Sequence, residues 1–419
     1  MKRFLSLCAA LLLLLSPFAL AGCGSASKSE DVKTVKIGMI GPLSGPAAEA
    51  GNCMKQGAQL AMDEWNAKEG VNIGGKKVKV EILFEDSQSK PEVGVSLGEK
   101  LISRDKVHVL IGESFHSSVT LAVMELAPKY GIPIYSIQPV SDEISKKVAS
   151  DPKKYATFWK GDFGNDNFGK AAFETYKYLT EKGLFTPKTK SIAFLVEDTD
   201  YGRSLTTVMK GLFEGAGWKT VASETVPLNH TDFYPQLNKI KSAKPDILLT
   251  VFTPLASGVA LVKQFQEVGM TASHFGITFP RRPEFSQQAG KSAEGLLWSP
   301  LMFDPDNIDK QKPLSNKIKE KFNVVATSDH AFGYDAINNI LDAVNRAGTI
   351  KGDVLSEAIG KTDREGLLGR YVFDPKDHSA KGGVEYLPVP AVQIVDGKHY
   401  IIWPDKLAKR QYTPQPWVK

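Results

Sequence analysis

Hydroxyl, aromatic and charged side chains are concentrated in short segments that each follow an apolar run typical of a strand. In open parallel sheets, ligands bind beyond the carboxyl ends of the strands, where the N-termini of the following helices offer free N–H groups. If two such sheets face each other, the segments converge on one cleft, which predicts a binding site for a small solute. The segments are GPLSGPA (41–47), GESFHSS (112–118), IQPVSDE (137–143), EDTDYG (197–202), FTPLAS (252–257) and TFPRRP (278–283).

Motifs for catalysis are incomplete in this sequence. The segment VNIGGKKVKV (71–80) approaches a phosphate-binding loop, but Lys77 stands where that loop requires serine or threonine. It also leads from a helix into a strand, which is the reverse of the required order. The sequence contains no H-E-x-x-H or C-x-x-C, and its seven histidines include no pair at i and i+4. We therefore predict a binding protein and not an enzyme, with no cofactor and no metal.

The elements that must position these segments alternate along the chain. Apolar runs predict strands, and apolar residues at helical spacing predict the helices between them. Alternation with short connections indicates an α/β fold with two Rossmann-like lobes, each a doubly wound parallel sheet. The predicted strands are 35–43, 78–86, 107–112 and 132–137, followed by 191–198, 219–226, 246–252 and 274–279; the predicted helices include 91–104, 118–130, 166–182, 203–216, 232–243 and 256–268.

The last third of the chain is too short for a third doubly wound domain. It reads as a strand, GLLWSPLMF, then helices near 312–322, 330–347 and 352–360, and a closing pair of strands, GRYVFD and PAVQIVDGKHYII. We expect the chain to return to the first lobe and to cross again near residue 387, which makes a hinge of several strands. The predicted N-terminal lobe is 34–160 with 284–386, and the C-terminal lobe is 161–283 with 387–419.

The N-terminal residues have the pattern of a secretory signal. Lys2 and Arg3 precede an apolar stretch over 4–20, which falls short of the roughly 20 clean residues of a spanning helix. The sequence Leu-Ala-Gly-Cys that ends at Cys23 resembles the bacterial lipobox, which implies lipidation of that cysteine and a membrane anchor. The alternative is an ordinary cleaved signal in which the cysteine is incidental. Residues 24–33 are predicted to be a flexible tether.

Composition excludes several classes of partner. The chain is 42% hydrophobic and 24% charged, as in an ordinary soluble protein. Its net charge of +5 is spread out, and no block of lysine and arginine with interleaved aromatics predicts a nucleic-acid interface. Once residues 1–23 are set aside, Cys53 is the single cysteine of the sequence, so no internal disulfide is expected. We expect a monomer.

Four segments, in this order, resemble the branched-chain amino acid-binding family of ABC importers, the type I periplasmic binding proteins. They are IGPLSGPAAEAG (40–51), QGAQLAMDEWNAKEGVNIGGKKVKV (56–80), FEDSQSKP (84–91) and GYDAINNILDAVNRAG (333–348). The resemblance implies an extracytoplasmic receptor, in the periplasm or on the outer face of the cell membrane. Such a receptor binds an amino acid or related small carboxylate between its lobes and delivers it to membrane permease subunits. The alternative is an extracellular sensor that feeds a membrane signalling protein.

The resemblance also implies which residues hold the ligand. In that family, hydroxyls and backbone N–H groups of the N-terminal lobe bind the ligand carboxylate, and aromatic side chains face it from the other lobe. The first hydroxyl position falls on His116 or Ser117, depending on one residue of register, although His116 is alternatively a surface histidine. Ser118 and Ser141 precede apolar helical segments, so helix capping is the alternative for both. The candidates are Ser44, His116, Ser117, Gln138 and Ser141, with Tyr201 and Phe252 opposite.

Two departures from the family pattern bear on the ligand. Ala50 stands where the family often has an aromatic residue, which predicts a roomier pocket. Phe279 stands at or near the glutamate that pairs with the ligand ammonium, and Arg281 and Arg282 follow it. A buried ammonium without a carboxylate is costly. Either another acid replaces that glutamate, or the ligand has no amine and Arg281 binds its anionic group, or both arginines lie in water at the rim. The candidate acids are Glu197, Asp198 and Asp200.

Overall fold

A computed structural model describes residues 32–282, 284–300 and 302–418 of the chain. The predicted signal sequence, Cys23 and all but the last residues of the predicted tether lie outside these ranges. Within them, no helix has both the length and the apolar character that a membrane crossing requires.

The first sheet has six strands in the order β2-β3-β1-β4-β5-β6. Strand β1 pairs in parallel with β3 and β4, and only the β2–β3 hairpin is antiparallel. Every residue of β4 is buried, as expected of a central parallel strand covered on both faces. The strands are β1 (Thr34–Gly41), β2 (Val71–Ile73), β3 (Lys76–Asp86), β4 (Val109–Gly112), β5 (Ile134–Ser136) and β6 (Phe158–Lys160), with helices α1 (Ala48–Ala67), α2 (Pro91–Ser103), α3 (Ser117–Val123), α4 (Leu126–Tyr130) and α5 (Asp142–Ser150).

The second sheet has seven strands in the order β15-β14-β11-β10-β9-β7-β8. Strands β7 to β11 pair in parallel, and β14 and β15 complete the sheet in antiparallel orientation. Its strands are β7 (Ser191–Glu197), β8 (Lys219–Val226), β9 (Ile247–Phe252), β10 (Ser273–Thr278), β11 (Leu297–Ser299), β14 (Ala391–Val395) and β15 (Lys398–Trp403), with helices α6 (Asn165–Glu181), α7 (Asp200–Gly215), α8 (Tyr234–Ala243), α9 (Leu255–Glu267) and α10 (Phe285–Ala289).

The remaining elements are α11 (Lys312–Phe322), α12 (Ser328–Ala347), α13 (Gly352–Gly360), β12 (Asp363–Glu365) and β13 (Arg370–Val372). Helix α12 packs along α1, on the side of the first sheet. Strands β12 and β13 form a separate antiparallel hairpin.

Three predictions about this part of the chain need correction. Strand β11 was expected in the first lobe but pairs with β10, so the chain leaves the second sheet after Ser299 and not at residue 284. The GRYVFD strand pairs with β12 and not with the last strands. Strands β14 and β15 pair with each other instead, because Asp396 and Gly397, both with positive φ, form the two-residue turn of a hairpin. The other lobe boundaries stay a prediction.

The helix predicted over 118–130 is interrupted. It forms as α3 and α4, with a break after Val123. Pro128 has no N–H to donate to the carbonyl of Met124, and its ring clashes with that carbonyl, so a continuous helix is excluded there. The sequence reading also missed several short elements, among them β2, β6, α10 and β12.

Helices α1 and α12 cross in backbone contact at two glycines. A Cβ atom on Gly57 would lie 1.9 Å from the carbonyl oxygen of His330, and one on Gly333 would lie 2.0 Å from that of Met54. Neither contact leaves room for a side chain. The crossing therefore fixes the position of the N-terminus of α12, which reaches the cleft described below.

This close approach predicts the effect of adding one methyl group. Gly57→Ala should lower the free energy of unfolding by about 1 to 3 kcal/mol, because the helices must separate to admit the Cβ atom. Gly211→Ala is the matched control, since no atom lies within 4 Å of its Cβ position in the exposed face of α7. Chemical denaturation of both variants measures the difference. Equal stability of the two variants would show that α1 and α12 can admit the added Cβ atom without a measurable cost.

Candidate ligand-binding site

One cavity of about 300 Å³ lies at the carboxyl ends of both sheets. All six segments singled out in the sequence contribute to its wall, so the loops of the two sheets do face one space. The loop after β6, the N-terminal parts of α6 and α12, and residues that follow β3, β8 and β11 also contribute to the wall. Its lining residues include Pro46, Ala47, Ser89, Phe115, His116, Ser117, Ser118, Gln138, Val140, Asp162, Phe168, Glu197, Thr199, Tyr201, Thr253, Thr278, Arg281, Met302, Ser328 and Phe332.

Arg281 is a buried cation in this wall, not a rim residue in water. Its side chain is 9% exposed, and Nη1 lies 3.1 Å from Asp329 Oδ1. When the Gln138 amide is oriented to match its neighbours, its oxygen accepts from the same Nη1 at 2.9 Å and its nitrogen donates to Asp329 Oδ1 at 3.2 Å. The guanidinium lies 5.8 Å from the centre of the Phe115 ring. Nε and Nη2 of Arg281 have no hydrogen-bond partner among the described residues.

Asp329 holds both arginines of the β10 loop. Its Oδ2 accepts from Arg282 Nη1 at 2.9 Å, while Oδ1 faces Arg281. Arg282 also lies 3.2 Å from the half-exposed Glu49 on α1. Asp329 is fully buried at the N-terminus of α12, on the side of the first sheet, whereas the arginines follow a strand of the second sheet. These ion pairs therefore join the two sides of the cleft.

His116 supplies a neutral polar group to the wall. Burial lowers the pKa of His116 to about 4, so the ring is uncharged at neutral pH. Its Nε2 has no partner among the described residues. The ring packs edge-on against Phe115, with centroids 5.2 Å apart. An uncharged imidazole can donate or accept one hydrogen bond at Nε2, depending on its tautomer.

Two buried carboxylates line the same cavity. Glu197 accepts from the backbone N–H and hydroxyl of Thr253, each at 2.7 Å, and from the Thr199 hydroxyl at 3.2 Å. Asp162 accepts from the Phe163 N–H at 2.8 Å through Oδ1, but its Oδ2 has no partner among the described residues. Burial raises the pKa of both groups, that of Asp162 to about 7.

The remaining charged groups of the wall satisfy each other. Arg203 pairs with Asp198 and, at 2.7 Å, with Asp200, on a part of α7 that is open to solvent.

The Tyr201 hydroxyl lies 2.7 Å from the Thr278 hydroxyl, which joins the β7 and β10 loops.

Some of the predicted ligand-binding residues lie in the wall and others lie outside it. His116, Ser117, Gln138, Tyr201 and Arg281 line the cavity. The structure places the other predicted residues outside the wall, for reasons that differ from case to case.

The two predicted serines that lie outside the wall make local hydrogen bonds. The Ser44 hydroxyl donates to Asp86 at 2.6 Å in an exposed loop. Ser141 is fully buried and accepts from the Glu143 N–H at 3.4 Å, so it caps α5, which is the alternative left open by the sequence. Ser118, by contrast, lines the cavity and does not cap α3, whose N-cap is His116.

Three apolar candidates are core residues. Phe252 packs edge-on against Phe233, with centroids 5.2 Å apart. Phe279 lies on Phe285 and fills space left by Gly258 and Gly276, whose Cβ atoms would collide with its ring.

Ala50 is buried in α1, next to a glycine that touches the carbonyl of Pro42. The α1 backbone therefore lies against the loop after β1 there. The sequence predicted a roomier pocket because Ala50 is small. Ala50 lies outside the cavity wall, so its size does not widen the cavity.

Asp162 is the buried charged residue of the described wall that sequence reasoning missed. It follows β6, a strand of only three residues, FWK, which was not recognised as a strand. Had that short apolar run been assigned, the loop GDFGN would have been a further carboxyl-end segment. The signal was present, but a three-residue run is too short to be distinguished by its period.

The sequence matches the family model described as periplasmic binding protein over residues 34–396. A relative from Pseudomonas aeruginosa, a leucine-, isoleucine-, valine-, threonine- and alanine-binding protein, is 26% identical over 360 residues, which is 85% of this chain and 90% of the relative.

Two solved structures have a similar fold. A branched-chain amino acid transporter substrate binding protein of Streptococcus pneumoniae, in complex with isoleucine, has a TM-score of 0.73 at 24% identity and covers 88% of this chain and 98% of its own. An ABC transporter solute binding protein of R. palustris, in complex with benzoate, has a TM-score of 0.74 at 19% identity, with coverage of 88% and 95%.

Proposed function

The chain belongs to the periplasmic binding protein family, and we propose that it is an extracytoplasmic receptor that delivers a small carboxylate to a membrane permease. The membership confirms the family resemblance found in the sequence, and the similar folds confirm the predicted α/β architecture of two sheets. The proposed ligand is an amino acid or a related small acid, bound in the cavity by a monomer. It leaves chemically unchanged, because this role requires no reaction.

The observation that carries the ligand proposal is the state of Arg281. Its guanidinium is buried at the cavity, cationic, and has two nitrogens without a partner among the described residues. A guanidinium presents paired N–H donors that match the two oxygens of a carboxylate. Its third nitrogen is already held by Asp329 and Gln138, so the free donors have a fixed direction. His116, Ser117 and Ser118 are among the neutral polar residues that line the same cavity.

Closure provides the physical step of delivery in this proposal. A ligand that contacts loops of both sheets stabilises the form in which they meet, so binding shifts the population toward the closed form. The permease then distinguishes the loaded receptor by its shape.

A thermal-shift screen of amino acids and small aromatic and aliphatic acids tests the ligand proposal. A ligand that binds only the folded state at about 100 times its Kd stabilises it by about 2.7 kcal/mol, which raises the melting temperature. Mass spectrometry of the recovered ligand checks that it is unchanged. If no carboxylate stabilises the purified protein while uncharged or cationic solutes do, the proposal is wrong.

We also propose that Cys23 carries the lipid that keeps the receptor at the membrane. Cys23→Ser should move the protein from the detergent phase to the aqueous phase in a detergent phase partition of whole cells, because the acylated thiol is lost. Cys53→Ser is the matched control and should leave partition unchanged. A Cys23→Ser protein that still partitions with detergent would contradict the anchor.

A further inference from the structure

The cavity wall contains, besides the cationic Arg281, a buried carboxylate oxygen of Asp162 without a partner among the described residues. We propose that the ligand carries, besides its carboxylate, a second hydrogen-bond donor, an amine or a hydroxyl, that the carboxylate of Asp162 accepts. This inference rests on the proposed function, since it takes Arg281 as the site of the ligand carboxylate.

The Asp162 carboxylate is buried and half satisfied. The residue is 1% exposed, lines the cavity, and accepts from the Phe163 N–H through Oδ1. Oδ2 has no partner among the described residues. Buried polar atoms without a partner are uncommon in native proteins, because the lost hydration is not replaced. A donor on a ligand in this cavity would satisfy Oδ2.

The cation nearest along the chain does not occupy this oxygen. Lys160 Nζ is buried and donates to the backbone carbonyls of Asp162, at 3.0 Å, and of Phe163. Its hydrogen bonds go to these carbonyls, and Asp162 Oδ2 is left without a partner among the described residues. Arg281 is likewise paired with Asp329 instead. The positive charges of Lys160 and Arg281 lower the pKa of Asp162 and so oppose the effect of burial.

The other acids of the wall are already satisfied. The two oxygens of Glu197 accept from Thr253 and Thr199, and Asp198 and Asp200 pair with Arg203. Among the buried carboxylates that line the described wall, Asp162 is the one with an oxygen left for a ligand. This assigns the ligand's donor to Asp162 and not to the acids expected from the sequence.

Donor and acceptor chemistry explains why one ligand group cannot bind both Arg281 and Asp162. A guanidinium only donates hydrogen bonds, and an ionised carboxylate only accepts them. A ligand carboxylate that binds Arg281 has no hydrogen to offer Asp162, and its negative charge would be repelled there. An acid without a second donor therefore leaves Oδ2 unsatisfied inside a closed cavity. An acid with such a donor satisfies the free donors of Arg281 and the free oxygen of Asp162 at the same time.

Matched pairs of acids test this inference. Isoleucine is compared with 3-methylpentanoate, which lacks the amine, and 3,4-dihydroxybenzoate with benzoate, which lacks the hydroxyls. Calorimetry at about pH 8, above the usual range of carboxyl pKa values, measures the four Kd values. In the pair that fits the cavity, we expect the donor-bearing acid to bind at least about tenfold more tightly, as one charge-assisted hydrogen bond provides.

Two variants separate this preference from a structural role. Asp162→Ala should abolish this preference, so that the two members of a pair bind with Kd values within about threefold of each other. Asp162→Asn keeps an acceptor oxygen, so it should lose the preference for an amine but retain part of that for a hydroxyl. This arm identifies which donor the ligand carries.

The possible failures are distinguishable. Equal binding of both members of a pair to the wild type, or a preference that survives in Asp162→Ala, would overturn the inference and leave the proposed function intact. If none of the four acids binds, the inference and the choice of carboxylate ligands both fail.

Discussion

Arg281→Met is expected to weaken binding of the carboxylate ligand by about 100-fold or more, the usual cost of truncating one partner of a buried charge pair. Methionine keeps much of the buried apolar volume but removes every N–H donor. The ligand carboxylate would then be buried without a cation, beside the ring of Phe115. Titration calorimetry with the best ligand of the screen measures the loss.

Arg203→Met is the matched control for this variant. Arg203 also borders the cavity, but its side chain is 55% exposed and its nitrogens are taken up by Asp198 and Asp200. We expect a change of less than about threefold there, because exposed ion pairs contribute little. Arg281→Lys should fall between the two, since lysine keeps the charge and loses the paired donors. Equal effects of Arg281→Met and Arg203→Met would remove Arg281 from the site.

The architecture was predictable because the sheets consist of long apolar runs. In β7, the sequence SIAFLVE is buried at every position, which is typical of a central parallel strand. Such runs and the helices between them place the loops at the carboxyl ends, so the cleft followed from the order of elements. The short strand β6 carries no such signal, and Asp162 was missed with it.

The roles of single side chains were less predictable. The sequence placed Ser141 and Ser118 alike before a helix, but Ser141 is the N-cap of α5, whereas α3 begins at Ser117, so Ser118 lies within that helix and lines the cavity. The difference depends on the exact residue at which each helix begins, which the residue types alone do not fix. Phe279 lies in the core because Gly258 and Gly276 leave space for its ring, and Gly258 lies on a different element, the helix α9.

The arginine pair shows a similar limit. Two adjacent arginines in a loop are usually solvated. The sequence could not indicate that Asp329, on another element, forms ion pairs with both of them. Arg282 and Asp329 are 47 residues apart in the sequence. The close packing of α12 against α1 at two glycines determines where Asp329 lies. The ion pairs therefore depend on tertiary packing that local patterns do not contain.

Asp329→Ala is expected to lower the free energy of unfolding by about 3 to 5 kcal/mol, the usual cost of breaking a buried ion pair from one side. The variant leaves Arg281 and Arg282 buried, and Arg281 loses the carboxylate that balances its charge. Because these pairs join the two sides of the cleft, part of the response should be opening of the cleft without ligand. Urea denaturation measures the stability, and small-angle X-ray scattering measures the opening as a larger radius of gyration.

Glu49→Ala is the control that separates burial from charge. Glu49 also pairs with Arg282, but its side chain is 53% exposed, so its removal should cost less than about 1 kcal/mol. A stability loss confined to Asp329→Ala shows that the buried carboxylate, and not the total charge near the arginines, holds the two sides together. If Asp329→Ala unfolds at the same urea concentration as Glu49→Ala, water reaches the arginines and the cleft is held closed by other contacts. The radius of gyration of the ligand-free variant distinguishes these outcomes without reference to any ligand.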